Sequence, residues 1–174
     1  MANGTMTPDP AIKTALTDFH AVALTMYGEG RGDRLEGGTS VEERIAVGCV
    51  IRNRLKTPGR FGSTYRAVCL TRSQFSCWWT WGGKDNYAHV MVIARALVED
   101  VRAEPELSTF EHGLWTESLF LADGIIGEQL LDSVRGSTHY YAPRAMKPAG
   151  RVPAWAVGNR QLAKIGGHLF FKAG

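Results

Sequence analysis

Glu29 stands in Tyr27-Gly28-Glu29-Gly30-Arg31-Gly32-Asp33, a stretch in which a carboxylate is fenced by three glycines. Lacking Cβ, Gly28, Gly30 and Gly32 let the backbone turn through φ > 0 and let a bulky ligand approach the main chain. A carboxyl group placed there and half shielded by apolar neighbours has its charged form disfavoured, which makes it a proton donor at working pH. The competing reading makes Glu29 the exposed last turn of a helix, with the glycines as its C-cap. A second carboxylate would be needed if the chemistry uses a nucleophile or an activated water, and the candidates are Asp33 and Glu43. Ser40-Val41-Glu42-Glu43 also has the form of a capping box, which explains Glu43 without chemistry.

Binding groups suggest themselves further along. Trp78, Trp79 and Trp81 crowd together beside Gly82-Gly83 and fit neither a helix face nor a clean strand alternation. Flat aromatic faces stack on the apolar side of sugar rings, so this loop suits a carbohydrate cleft; filling the core is the alternative fate of the same rings. Gln74, with one amide acceptor and two donors, can grip a hydroxyl or an N-acetyl group. Asn53, beside an apolar stripe, needs hydrogen-bond partners and is expected at the cleft, holding a neighbouring loop such as the Glu29 turn. His139 and His168 have no close His or Cys companion, so no metal and no cofactor are expected.

These groups must be carried by a mostly helical chain. From Asp9-Pro10 a helical pattern runs through Leu16, Phe19, Ala23 and Met26 on one face. A second helix starts at Ser40, follows the stripe Val47, Val50, Ile51 and Leu55, and ends at Pro58-Gly59. A short third helix is expected from Ser63 to Leu70, and a long fourth one capped by Asn86 and ending before Pro105. Leu114–Leu121 and Ile125–Val134 read as short helices broken at Asp123-Gly124. The last forty residues turn β-leaning, with two short strands or irregular loops, and Ile165–Phe171 reads as one strand.

The 174 residues, 44% of them hydrophobic, suffice for one domain with a sizeable core, and no linker separates a second. Lys and Arg number 20 against 17 Asp and Glu, a net charge of +3 read as spread along the chain, too weak to argue for nucleic acid. Cys49, Cys69 and Cys77 match neither a zinc ribbon nor a disulfide framework, so reduced thiols are expected, with a Cys69–Cys77 pair as the alternative. The first twenty residues lack a basic start and an apolar core, and apolar runs fall short of the roughly 20 residues of a membrane span, so neither a signal peptide nor stable membrane association is expected.

Four patches in order then align the chain with a known group: Tyr27 to Asp33; Ala46-Val47-Gly48-Cys49-Val50-Ile51-Arg52-Asn53-Arg54; Gln74-Phe75-Ser76; and Thr138-His139-Tyr140 with Lys164 to Phe171. Over residues 20–172 the chain resembles the SleB-like cell-wall hydrolases, which include spore-cortex lytic enzymes and phage lysins. The resemblance implies a lysozyme-like fold, mainly α with a small β element, and lytic transglycosylase activity on peptidoglycan. It implies that Glu29 is the catalytic acid and that Gln74 and the His139-Tyr140 patch line the cleft; Ser76, Trp78 and Asn53 are expected to contact the substrate beside them. Asp33 stands where the family often has glutamate, and Gly38-Thr39-Ser40-Val41 lengthens the following loop. The missing signal peptide, the small size and a family that includes lysins together point to a phage or prophage endolysin, made in the host cytoplasm and needing a holin or membrane damage to reach the wall. A polymer-cutting enzyme with one cleft gains nothing from pairing, so a monomer is expected. Lysozyme-type hydrolysis, a zinc amidase acting on the peptide stem, and a non-catalytic wall-binding module are the alternatives.

Overall fold

A computed structural model describes residues 8–31, 39–80, 84–99 and 107–172. The chain forms a mainly helical body with a small antiparallel sheet near its C-terminal end, the α+β architecture expected. The helices among the described residues are α1 (Pro10–Ala15), α2 (Asp18–Gly30), α3 (Val41–Leu55), α4 (Tyr65–Leu70), α5 (Lys84–Glu99) and α6 (Thr109–Ile126). The strands are β1 (His139–Tyr141), β2 (Gln161–Ile165) and β3 (His168–Phe171).

Helix α2 is the axis of the body. Every residue from Ala21 to Gly28 is buried, so the one-faced pattern read from the sequence understates it: Val22, Leu24 and Thr25 are covered as well. A helix that is apolar all round belongs in the interior, and α3, α4, α5 and α6 all pack on it. The helical pattern expected to run on from Pro10 is in fact divided. Leu16 is extended, and Thr17 caps a new helix by accepting from the His20 amide.

Ser40 and Glu43 form the expected capping box at the start of α3. A second box, Ser108 with Glu111, starts α6 and carries it unbroken through Asp123-Gly124, where a break was expected. Gly124 serves packing there, since a Cβ would lie 2.9 Å from Leu130 Cγ. Asn86 lies inside α5 and does not cap it; its side-chain amide donates to the Gly28 carbonyl at 2.8 Å. Cys49, Cys69 and Cys77 are all buried free thiols, so the Cys69–Cys77 pair does not form. No described helix is long and apolar enough to cross a membrane.

The sheet has the order β1-β3-β2. The stretch Ile165–Phe171, expected as one strand, is a hairpin that turns at Gly166-Gly167, with Gly166 at φ +54°. Tyr140, Phe170 and Ala163 are cross-strand partners and share one face. On the other face lie His139, Tyr141 and Phe171, against which Trp155 packs with ring centres 5.1, 5.8 and 5.7 Å away respectively.

Candidate functional site

Glu29 is the penultimate residue of α2, inside the helix and half-buried. Gly28 and Gly30 are therefore not turn residues with φ > 0; what they provide is close approach. A Cβ on Gly28 would stand 2.5 Å from Cys77 Cβ and 2.8 Å from Val90 Cγ2, and one on Gly30 would stand 2.5 Å from Arg44 Cδ. Gly32 and Asp33 lie outside the described residues.

Among the described residues, three donors meet the Glu29 carboxylate. Ser76 Oγ and the Cys77 amide donate to Oε1 at 3.1 and 3.0 Å, and the Tyr140 hydroxyl donates to Oε2 at 2.9 Å. The negative end of the α2 dipole is unfavourable ground for an anion, and these donors offset it. Burial, then the neighbouring Glu29 charge, push the Tyr140 phenol well above its ordinary value, so it stays protonated as a donor. The same two causes raise the Cys77 thiol well above its ordinary range and keep it neutral.

Thr25 lies one turn before Glu29 on the same face of α2 and accepts from the Trp78 indole N–H at 2.8 Å. The 3₁₀ turn Ser76–Trp78 is thus held to α2 at two successive levels. Trp78 is wholly buried and Trp79 nearly so, which corrects the expectation that Trp78 contacts substrate: no face of its ring is open to a sugar. Trp81 lies outside the described residues.

Arg54 brackets the site from behind. It follows Val50 by one turn on the α3 stripe, is 5% exposed, and donates from Nε to Thr138 O at 2.7 Å and from Nη1 to Gln74 O at 3.1 Å. Those carbonyls immediately precede the segments that deliver Tyr140 and Ser76-Cys77. Its guanidinium also lies 4.6 Å from the Phe75 ring centre. Burial lowers its pKa to about 10, so it remains charged at neutral pH.

The other expected residues fall into place around this centre. Gln74 is half-buried next to the Ser76 turn, with its backbone carbonyl taken by Arg54. Asn53 reaches the loop ahead of β1, donating to Asp132 Oδ2 and Ser137 O at 3.2 Å each, rather than to the Glu29 turn. His139 and Tyr140 are adjacent on a strand and point to opposite faces, so Tyr140 alone of the two meets Glu29. His139 packs between Phe61 and Trp155, and burial, then the charges of Arg54 and Arg60, lower its pKa to about 4.

Glu43 is fully engaged elsewhere. Its Oε2 accepts from the Ser40 amide at 3.0 Å, and its Oε1 accepts from the Gly167 amide at 2.8 Å and meets His168 Nδ1 at 2.9 Å. Burial raises its pKa, but the donors at Ser40, Gly167 and His168 outweigh it and hold the group below its ordinary value. A Cβ on Gly166 would collide with this carboxylate, so the hairpin turn is shaped to fit it. Glu43 therefore latches the β2–β3 hairpin to the start of α3.

Sequence reasoning missed Arg54, the Cys77 amide and Asn86. Arg54 left a signal, because it continues the apolar stripe of α3. A backbone amide leaves none.

Residues 38–171 match the cell wall hydrolase family, a span that includes Arg54, Ser76, Cys77 and Tyr140 and begins after Glu29. No curated protein and no solved structure matches the chain. With most of its length matched, the chain belongs to the SleB-type cell wall hydrolase family, whose members act enzymatically on peptidoglycan.

Proposed function

We propose that the protein is a lytic transglycosylase that cleaves the bond between N-acetylmuramic acid and N-acetylglucosamine, with Glu29 as acid and then base. The observation that carries this reading is the carboxylate of Glu29, held by donors from two separate segments, Ser76-Cys77 and Tyr140. Glu43 has both oxygens committed to the hairpin latch, which disfavours it as a second catalytic carboxylate. Protonated Glu29 donates to the bridging oxygen as the C1–O bond breaks, and the neighbouring N-acetyl group stabilises the oxocarbenium-like centre. The Glu29 carboxylate then removes the proton of the 6-hydroxyl, whose oxygen bonds to C1 and closes a 1,6-anhydro ring. No water is consumed, and Glu29 ends as it began. The setting we propose is that of a phage or prophage endolysin working as a monomer behind a holin, on the resemblance to lysins.

The test is mass spectrometry of soluble fragments released from purified peptidoglycan, with Glu29→Gln and Glu43→Gln run alongside. Fragments ending in 1,6-anhydro-N-acetylmuramic acid, lost in Glu29→Gln and retained in Glu43→Gln, are the expected result. Reducing ends that carry an added water would make the enzyme a hydrolase and turn attention to Asp33. Near-normal turnover by a folded Glu29→Gln protein would remove Glu29 from the reaction.

A further inference from the structure

His139 and His168 both lie on the small sheet, and the register sends them to opposite faces. His139 goes to the side that Trp155 covers. His168 stands two residues before Phe170, the cross-strand partner of Tyr140, and so shares the face that meets Glu29. The His168 and Tyr140 ring centres are 5.5 Å apart in an edge-on arrangement, and the Tyr140 hydroxyl is 2.9 Å from Glu29 Oε2. A single phenol ring therefore separates His168 from the carboxylate. A second route through the chain leads to the same place. Thr39 donates to Gly30 O from its amide and from its hydroxyl, at 3.1 Å each, one residue beyond Glu29. The Ser40 amide follows and is held by Glu43 Oε2, while Glu43 Oε1 meets His168 Nδ1. His168 is thus tied to the end of α2 by two independent connections.

The latch uses only half of the imidazole. Glu43 also accepts from the Ser40 and Gly167 amides, so it stands as a carboxylate, which can only accept, and Nδ1 carries the shared proton. In the neutral ring Nε2 then bears a lone pair of fixed direction. It has no hydrogen-bond partner among the described residues. Nor is it sealed. The side chain stays 17% exposed, and the sealed, unpaired polar side-chain atoms of the described residues are Arg44 Nε, Trp79 Nε1 and Asn86 Oδ1. The groups described at Glu29 are donors, spent on its carboxylate. A glycan presents hydroxyl and acetamido N–H donors of its own, and Nε2 is an acceptor within one ring of the candidate acid.

We propose that His168 contacts the glycan directly, its Nε2 accepting a hydrogen bond from the sugar bound beside Tyr140, with Glu43 as the positioning residue that fixes the tautomer. This rests on the reading of Glu29 as the glycan-cleaving group, which brings the substrate to this face of the sheet.

The experiment uses the full chain carrying Glu29→Gln, titrated with a soluble oligomer of alternating N-acetylglucosamine and N-acetylmuramic acid. Two added substitutions separate the latch from the contact. His168→Asn puts an amide nitrogen in the place of Nδ1, which keeps the bond to Glu43 and removes Nε2. His168→Gln puts an amide in the place of Nε2 and gives up Nδ1. Expected are a loss of about three- to ten-fold in affinity for His168→Asn with the melting point kept, and a lower melting point for His168→Gln with affinity nearer the parent's. A merely structural latch predicts the reverse order. Parental affinity in a folded His168→Asn, or a greater loss in His168→Gln than in His168→Asn, would overturn the proposal. The ring itself gives a readout that needs neither variant to fold. In Glu29→Gln protein labelled with an NMR-active nitrogen isotope, the Nε2 signal should be that of an unprotonated nitrogen and should shift as the oligomer binds, because its lone pair gains a donor. A signal that stays in place at saturation also refutes the contact. Cleavage of the oligomer by Glu29→Gln would strike at the Glu29 reading, whereas these measurements strike at His168, so the two fail separately.

Discussion

Arg54 offers the sharpest test of how the site is held. Replacing it by Met leaves Thr138 O and Gln74 O without their donors, which costs about 1–3 kcal/mol each in a buried setting. Loss of the contact over Phe75 adds roughly 0.5–2 kcal/mol. Against this, Met abolishes the cost of burying a guanidinium. That cost is visible in the fall of the Arg54 pKa from 12.5 to about 10, and amounts to about 3 kcal/mol at 1.36 kcal/mol per unit. The net expectation for Arg54→Met is a loss of about 2 kcal/mol. Lys is the informative comparison. It keeps the buried charge, is more strongly hydrated, and presents its donors from one nitrogen, whereas the two carbonyls are reached by Nε and Nη1. Arg54→Lys should therefore lose about 3 kcal/mol, at least as much as Met, despite the conserved charge. At about 2–4 °C per kcal/mol for a chain of this size, the melting point should fall by about 4–8 °C for Met and 6–12 °C for Lys. Urea melts at neutral pH give the free energies, and turnover on purified peptidoglycan gives kcat and KM. Because Arg54 acts through the segments that hold Glu29, kcat should fall more than KM rises in both variants. Wild-type stability in Arg54→Lys would refute the forked bracket. Wild-type kcat in a folded Arg54→Met would refute its positioning role.

Two further expectations concern the neighbours of the site. Gly28→Ala forces a Cβ between Cys77 and Val90, which should cost about 1–3 kcal/mol and displace the Cys77 amide from Glu29; wild-type melting and turnover would show that the helix yields freely. His139 has a folded pKa of about 4 against an ordinary 6.5, so between those values the unfolded chain binds more protons and stability rises with pH. Its contribution is complete above 6.5 and is lost as pH falls toward 4. His139→Phe should flatten the melting-temperature profile over that window relative to wild type, and parallel profiles for the two proteins would reject the assignment.

Local sequence rules read the start of α3 but passed over the Thr17 cap of α2 and the Ser108–Glu111 box of α6. The Ser40–Glu43 box fixes the start of α3 because both partners lie within one turn, and the Val47, Val50 and Ile51 stripe names the face it buries. The same rules failed where a residue answers to a distant neighbour. Gly124 looked like a break but makes room for Leu130, and Gly28 looked like a turn but admits Cys77 and Val90. Trp78, in a loop suited to sugar stacking, is claimed by Thr25 on the central helix.

Glu29 was legible as the candidate carboxylate because few acids sit among glycines beside an apolar run. Its partners were not legible, since a backbone amide at Cys77 and a phenol 111 positions away at Tyr140 have no spacing rule that joins them to α2. The sequence by itself determined the helical class, the capping of α3 and the identity of the candidate acid, all consequences of periodicity and side-chain chemistry over a few residues. Tertiary structure decided which carboxylate is held in a ring of donors and which is a latch, because that choice depends on where the β lobe docks. The docking brings Tyr140 to Glu29 and His168 to Glu43 in one step.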